Sequence, residues 1–466
     1  MGYGDARHLL ARTGFGPTDA EVRAYAVMSR DDAIARLLRE TRTVPVTPLP
    51  AFALDTGPLR PPGRDAPDEE RKAFLQEQIR HGLELRAWWV QEMFATPSPL
   101  TERMTVFWHN HFVSSQQKVR IARLMYTQNA TLRGNALGNF GTLLHAASKD
   151  PAMLIYLDSA QNRRGQPNEN FAREVMELFT LGEGHYSEQD IKEAARAFTG
   201  WSLNRQTGEY VFRPALHDYG KKSILGRSGN FDGDAVLEIL LAQSATSEYI
   251  TTRLWREFVS PDPDPREIKR IAQIFRGNNY DIKLALYQLL RCDAFWSAAN
   301  RGTLVKSPVE FVVGTLRQLD VQPNSGLPFA ILSAGMGQNL FSPPNVKGWP
   351  GGNAWIDSNT LLARKQFVDR LARADEATLP MMAAASSDKP RAQRLANQAD
   401  RSVRDLHFDA AAWLASRSGA TSTDKERSAQ SLLLALPPYA PAPSPSDDTA
   451  LAFVRATLQD PVYQLK

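Results

Sequence analysis

Apolar residues recur at helical spacing along most of the chain. Between Asp19 and Glu40 the apolar positions are Val22, Tyr25, Ala26, Ile34, Leu37 and Leu38, with charges between them. A stronger pattern runs from Pro67 to Ala95 through Phe74, Ile79, Leu83, Leu85, Trp88, Trp89 and Met93. Pro97-Ser-Pro99 breaks it, and the next helix is expected near Thr101. Helical patterns continue over Leu124–Ala147, and Asp150-Pro151 opens an apolar run to Leu157. Two helices then carry clear end signals. Asn168 can cap Asn168–Leu181, Ser187 with Asp190 approximates a capping box for Ser187–Thr199, and Gly200 closes the second. Further helices are predicted at Asp234–Ala242, Tyr249–Phe258, Pro265–Arg276, Asp281–Leu290 and Ser307–Leu319.

Only Trp201–Gly229 reads as β, with Glu209–Arg213 and Lys222–Leu225 as strands between Gly-rich turns. Pro45 to Pro67, with seven prolines, is a surface connection, and Gly335–Ala354 is an ordered loop rich in Gly, Pro, Asn and Trp. The pattern thus predicts a mainly α protein. Residues 1–370 form a large multi-helix domain with a small inserted β-hairpin at about 201–229. Residues 371–466 form a C-terminal helical extension, with a Pro-rich linker at about 437–446 before a helix ending near Gln459.

Composition narrows the function classes. With 466 residues, 42% hydrophobic and 23% charged, the chain folds around a sizeable core. Lys and Arg number 55 against 51 Asp and Glu, a balance that gives no reason to expect nucleic acid. The single cysteine, Cys292, excludes an internal disulfide framework and a multi-cysteine zinc site. No stretch approaches the ~18–20 apolar residues of a membrane span. The first residues lack the apolar core of a signal peptide, so the expected location is cytoplasmic, or periplasmic or exported if a leader was removed.

The candidate chemistry is densest between Asn168 and His185. On an α-helix Glu169, Arg173 and Glu177 share a stripe at i, i+4 and i+8, overlapped by Asn170, Glu174 and Glu177. One reading makes Glu174 and Glu177 an acid/base pair, with Glu169 and Arg173 completing the site and Asn168 and Asn170 contacting a ligand. Neighbouring buried carboxylates acquire separated pKa values, so one residue type can serve both roles. The other reading is an ion-pair ladder in which Arg173 neutralises Glu169 and Glu177.

His109 and His111, in Phe107-Trp-His-Asn-His-Phe112, lie ~200° apart on a helix, which disfavours a chelate unless the helix ends at His109. His185 and His217 sit in a turn and at the hairpin. If they fold onto Glu174 and Glu177, the set suits Zn, Mn or Fe, so a divalent metal is a candidate cofactor. The basic run His217–Arg227 is either an anion clamp or a solvated hairpin edge. Trp349 and Trp355, among Asn and Gly, stack on a sugar if exposed and anchor the loop if buried.

Several blocks together resemble one bacterial family, that of domain of unknown function 1800. They are His8–Thr18 (HLLARTGFGPT), Glu102–Ser115 (ERMTVFWHNHFVSS), the specific Pro151–Trp201 block, His217–Asp234 and Gly337–Ile356. The resemblance covers roughly residues 5–370 and implies a largely helical bacterial protein, with no established activity, cofactor or substrate. It also implies export in many relatives, and a sulfatase-like partner protein. This chain departs from the family in showing no export signal. The residues themselves point to a hydrolase using a carboxylate/histidine cluster on a polar or carbohydrate-like small molecule. The alternative is a non-catalytic binding or assembly protein in which the polar helix is a structural network.

Overall fold

A computed structural model describes residues 1–59, 61–63, 65–204, 206–372, 397, 403, 406, 408–440 and 450–466. The fold is mainly α, with only two short antiparallel hairpins among the described residues. No helix there is long and apolar enough to cross a membrane.

Two helices are buried on every side. Each residue from Leu100 to His109 in the Pro99–His109 helix is buried, as is the whole of Pro308–Gln318. Such helices must satisfy their own polar groups internally. Glu102 therefore accepts from Trp89 Nε1 at 2.7 Å and from Arg133 Nε at 2.7 Å. Arg317 donates to the carbonyls of Gly16 and Phe94 and pairs with Glu21. The long helix Asp68–Ala95 buries Leu85, Trp88, Trp89, Val90, Met93 and Phe94 in its second half, while Leu75 and Ile79 in its first half face solvent.

Periodicity located these elements but fused some of them. The 19–40 pattern is two helices, Asp19–Ala26 and Arg30–Arg39, because Ser29 caps the second through Asp32 N. Likewise 124–147 divides into Ala122–Asn135 and Phe140–Ser148 at the Asn139 cap. The two predicted strands do not pair with each other. Trp201–Leu203 pairs with Tyr210–Phe212, and Lys222–Ile224 pairs with Arg227–Gly229. Leu225 and Gly226 both adopt positive φ (48° and 77°), which closes the second hairpin locally with a two-residue turn.

In the C-terminal region, Ala410–Ala415, Ser422–Leu433 and Ala450–Gln459 are helical, and the linker expected at 437–446 lies outside the described residues from 441 on. Trp413 Nε1 donates to Gln318 O at 3.1 Å. Tyr463 is fully buried, with its hydroxyl on Thr315 Oγ1 (2.8 Å) and Gln318 Oε1 (3.1 Å). A single β-bridge joins Val305 to Leu465.

Candidate functional site

The polar helix starts as its end signals dictate. Asn168 caps it through Asn170 N at 2.9 Å. The Asn168 side chain also donates to the carbonyls of Leu157 (3.4 Å) and Asp158 (3.0 Å), and that of Asn170 to Leu157 O (3.4 Å). Both amides are thus engaged with the preceding loop. The helix is α only over Glu169–Glu174, and Val175–Leu181 is a π-helix. Thr180 Oγ1 donates to Val175 O, five residues back, at 2.6 Å, which suits the wider turn.

That turn breaks the expected stripe. Arg173 pairs with Glu188 at 2.7 Å and Glu169 at 3.8 Å, whereas Glu177 accepts from Tyr186 Oη at 2.6 Å. The ladder forms at its first rung and then turns to a residue of the next helix.

Glu174 is buried, and its carboxyl is raised above the usual range, first by burial and then by Glu177, against Arg173 and Lys347. Glu177 faces an open cleft of about 450 Å³, whose lining includes Glu183, His185, Glu248 and Tyr249. Gly182 makes the corner, with φ of 79°, and a Cβ there would stand 2.9 Å from Tyr249 Cδ2. A glycine is required both for the turn and for the aromatic ring that rests on it.

The histidines occupy four different settings. The helix does end at His109, yet the His109 ring packs on Trp89 and Phe341 and its Nε2 meets Asn129 Nδ2 at 3.0 Å. His111 meets Phe179 O at 3.1 Å among Trp108, Phe112 and Tyr249. Burial lowers the pKa of both, His109 to about 3. His217 is buried, with Nδ1 on Thr199 O at 2.8 Å. Only His185 is exposed, in the cleft of Glu177. The set of His185, His217, Glu174 and Glu177 is therefore not assembled. Among the described residues no three of His, Cys, Asp or Glu are gathered to hold a metal ion.

Beside the acidic cleft lies a second, of about 470 Å³, whose lining includes Arg103, Arg253, Arg256, Lys347, Trp349 and Lys466. Tyr249 lines both clefts, and Lys347 Nζ stands 3.6 Å from Glu183 on the acidic side. Trp349 and Trp355 line the second cleft but are 4% and 6% exposed, so they anchor the loop and present no open stacking face. Asn110 holds that loop, accepting from Trp349 N at 2.6 Å. Gly348, at φ of 84°, is essential to the fit because a Cβ would overlap Asn110 Oδ1 at 2.1 Å.

Sequence reasoning missed Arg103, Asn110, Tyr249 and Arg253. Asn110 lies within the Phe107–Phe112 run, between the two histidines whose side chains carry the more obvious chemistry. The arginines are spread over helices far apart in sequence and carry no local motif. Inside this cleft, Arg103 meets Glu310 Oε1 at 2.9 Å and also Glu257, while Lys466 Nζ meets the same Glu310 oxygen. Burial pushes the Glu310 carboxyl up, but Arg103 and Lys466 outweigh it and hold the group at about 2. Burial and Arg103 bring Lys466 down to about 8.

Comparison with known proteins gives one match. The family described as "Protein of unknown function (DUF1800)" matches residues 8–465, nearly the whole chain. No curated protein and no solved structure matches.

Proposed function

The chain belongs to the DUF1800 family, and we propose that it is a hydrolase acting on a polar small molecule at the acidic cleft. The observation that carries this reading is the pairing of Glu174, where the α-helix ends, with Glu177 in the π-helix that follows, Glu177 opening to solvent beside His185. Glu174, buried behind it with a raised pKa, keeps a proton more readily than an ordinary carboxyl. Glu177, bonded to Tyr186, is the group placed to take a proton from water at the cleft wall. Glu174 acts on Glu177 and is a positioning residue. Because the donor set does not fit a metal, no step is routed through one.

The test is a hydrolysis screen over ester, amide, glycoside and phosphoester substrates with the wild type and Glu177→Gln. The expected result is turnover of at least one class, reduced roughly 100-fold or more in Glu177→Gln at unchanged melting temperature. Absence of turnover in the whole screen, or equal turnover by the variant, overturns the proposal.

A second reading, a structural network in a binding or assembly protein, has its own support. Tyr186 satisfies Glu177, and Glu188 with Glu169 satisfies Arg173. On that reading Tyr186→Phe lowers the melting temperature and alters no catalytic pH profile.

A further inference from the structure

The cationic cleft has too few acids for its bases. Glu310 is shared by Arg103 and Lys466, and Glu257 is committed to Arg103. Arg253 and Arg256 make no ion pair among the described residues, and Lys347 has only the long contact to Glu183, which lines the acidic cleft. Arg253 is not loose, since it donates to Asn110 O at 3.1 Å and to Tyr249 Oη at 3.4 Å. Its guanidinium is thereby held beside the loop of Trp349.

Two further atoms in the wall lack partners. Arg103 Nε and Trp349 Nε1 are both buried donors with no acceptor in the protein, on side chains that are themselves more than nine-tenths buried. Leaving such donors unmet is costly, and an acceptor on a bound ligand would relieve it. The volume of about 470 Å³ is that of a small-molecule site. Converging arginines recognise oxyanions with paired, charge-assisted hydrogen bonds, and clustered positive charge in a concave wall favours a multiply charged ligand.

We infer that this cleft binds a small organic anion carrying a phosphate or sulfate ester, with Arg253 and Arg256 as the principal contacts. Lys347 and Lys466 flank the anion, while Pro350, beside Phe107 in the cleft wall, takes its neutral body. The basic run at His217–Arg227, singled out in the sequence as an anion clamp, is not part of this site. Lys222 there is spent on the carbonyls of Asp218 and Gly220.

The inference stands apart from the hydrolase reading, since it needs no turnover. Its test is isothermal titration of the full chain with pyrophosphate and with inorganic sulfate, at ionic strength held constant with sodium chloride. The expected result is saturable binding by the wild type, weakened roughly tenfold or more in Arg253→Gln/Arg256→Gln, as loss of charged hydrogen bonds predicts. Arg256 is exposed and unpaired, so Arg256→Gln alone folds normally and should still weaken binding several-fold. Glu177→Gln should bind the anions as the wild type does, which separates this site from the acidic cleft. Binding by neither anion, or equal binding by the arginine variants, overturns the inference. Phenyl phosphate and phenyl sulfate, titrated in the same way, share one neutral body, and the tighter binder of the two assigns the site to phosphate or to sulfate esters.

Discussion

Asp150 accepts backbone N–H bonds from Ala152 (3.0 Å) and Met153 (3.2 Å) through one oxygen, while its other oxygen is buried with no partner. Burial pushes its pKa up to about 7, against those two bonds. Between about pH 4 and pH 7 the folded protein therefore holds a proton that the unfolded chain has released. The stabilisation is full below pH 4 and is lost as pH rises to 7, by up to about 4 kcal/mol. Asp150→Asn keeps the cap, because Asn caps as well as Asp. It should flatten this pH dependence and raise the melting temperature at pH 8, read by thermal denaturation across pH 4–8.

His109 runs the other way. Arg133 Nη1 donates to Asn129 Oδ1 at 2.5 Å, so Asn129 turns its amide N–H to His109 Nε2 and fixes the neutral Nδ1–H tautomer. With a pKa of about 3, set by burial and then by Arg133, its share of stability is present above pH 6.5 and lost as pH falls toward 3. Imidazole nitrogen NMR should show no titration of His109 between pH 5 and 8. The sequence shows that His109 and His111 diverge. It does not show Asn129 or Arg133, which lie on another helix and become partners only when the two helices pack.

At the scale of elements, the caps were the most legible feature. Ser187–Asp190 forms the expected box and Asn168 caps its helix as expected, while Asp281 and Ser307, read in the sequence only as helix starts, are caps as well. The π-turn was not legible, because Phe171, Val175, Leu178 and Phe179 satisfy α periodicity and the wider hydrogen bond leaves no mark on polarity. Its consequence is concrete, since it separates Glu177 from Arg173 and lets it reach Tyr186. Thr180 helps to hold that geometry through Val175 O and a longer contact to Met176 O at 3.4 Å. Thr180→Val should cost about 1 kcal/mol in chemical denaturation, and Thr180→Ser should recover most of it.

For the whole molecule, the mainly α class was legible because helical periodicity fills most of the chain. The clefts were not, because their walls come from segments far apart in sequence, by hundreds of residues in the cationic cleft. Arg103–Asn110, the Ser244–Phe258 helix, the 347–355 loop and Lys466 meet only in three dimensions. Residues 461–466 also complete the buried Pro308–Gln318 helix through Tyr463, whose ring lies 5.7 Å from that of Phe311. Tyr463→Ala should therefore cost about 3–5 kcal/mol by urea unfolding. Tyr463→Phe, which loses only the hydroxyl bonds, should cost about 1 kcal/mol.

Lys466 couples two equilibria. It stands in the wall of the cationic cleft while the segment bearing it is held by Val305 and Leu304. Detaching that segment would dismantle one side of the cleft, so an occupant that touches Lys466 binds only the attached form. Its apparent affinity then scales with the fraction of molecules whose tail is docked. Reciprocally, a bound anion should slow amide exchange at Leu465 and Lys466, making the tail a reporter of occupancy.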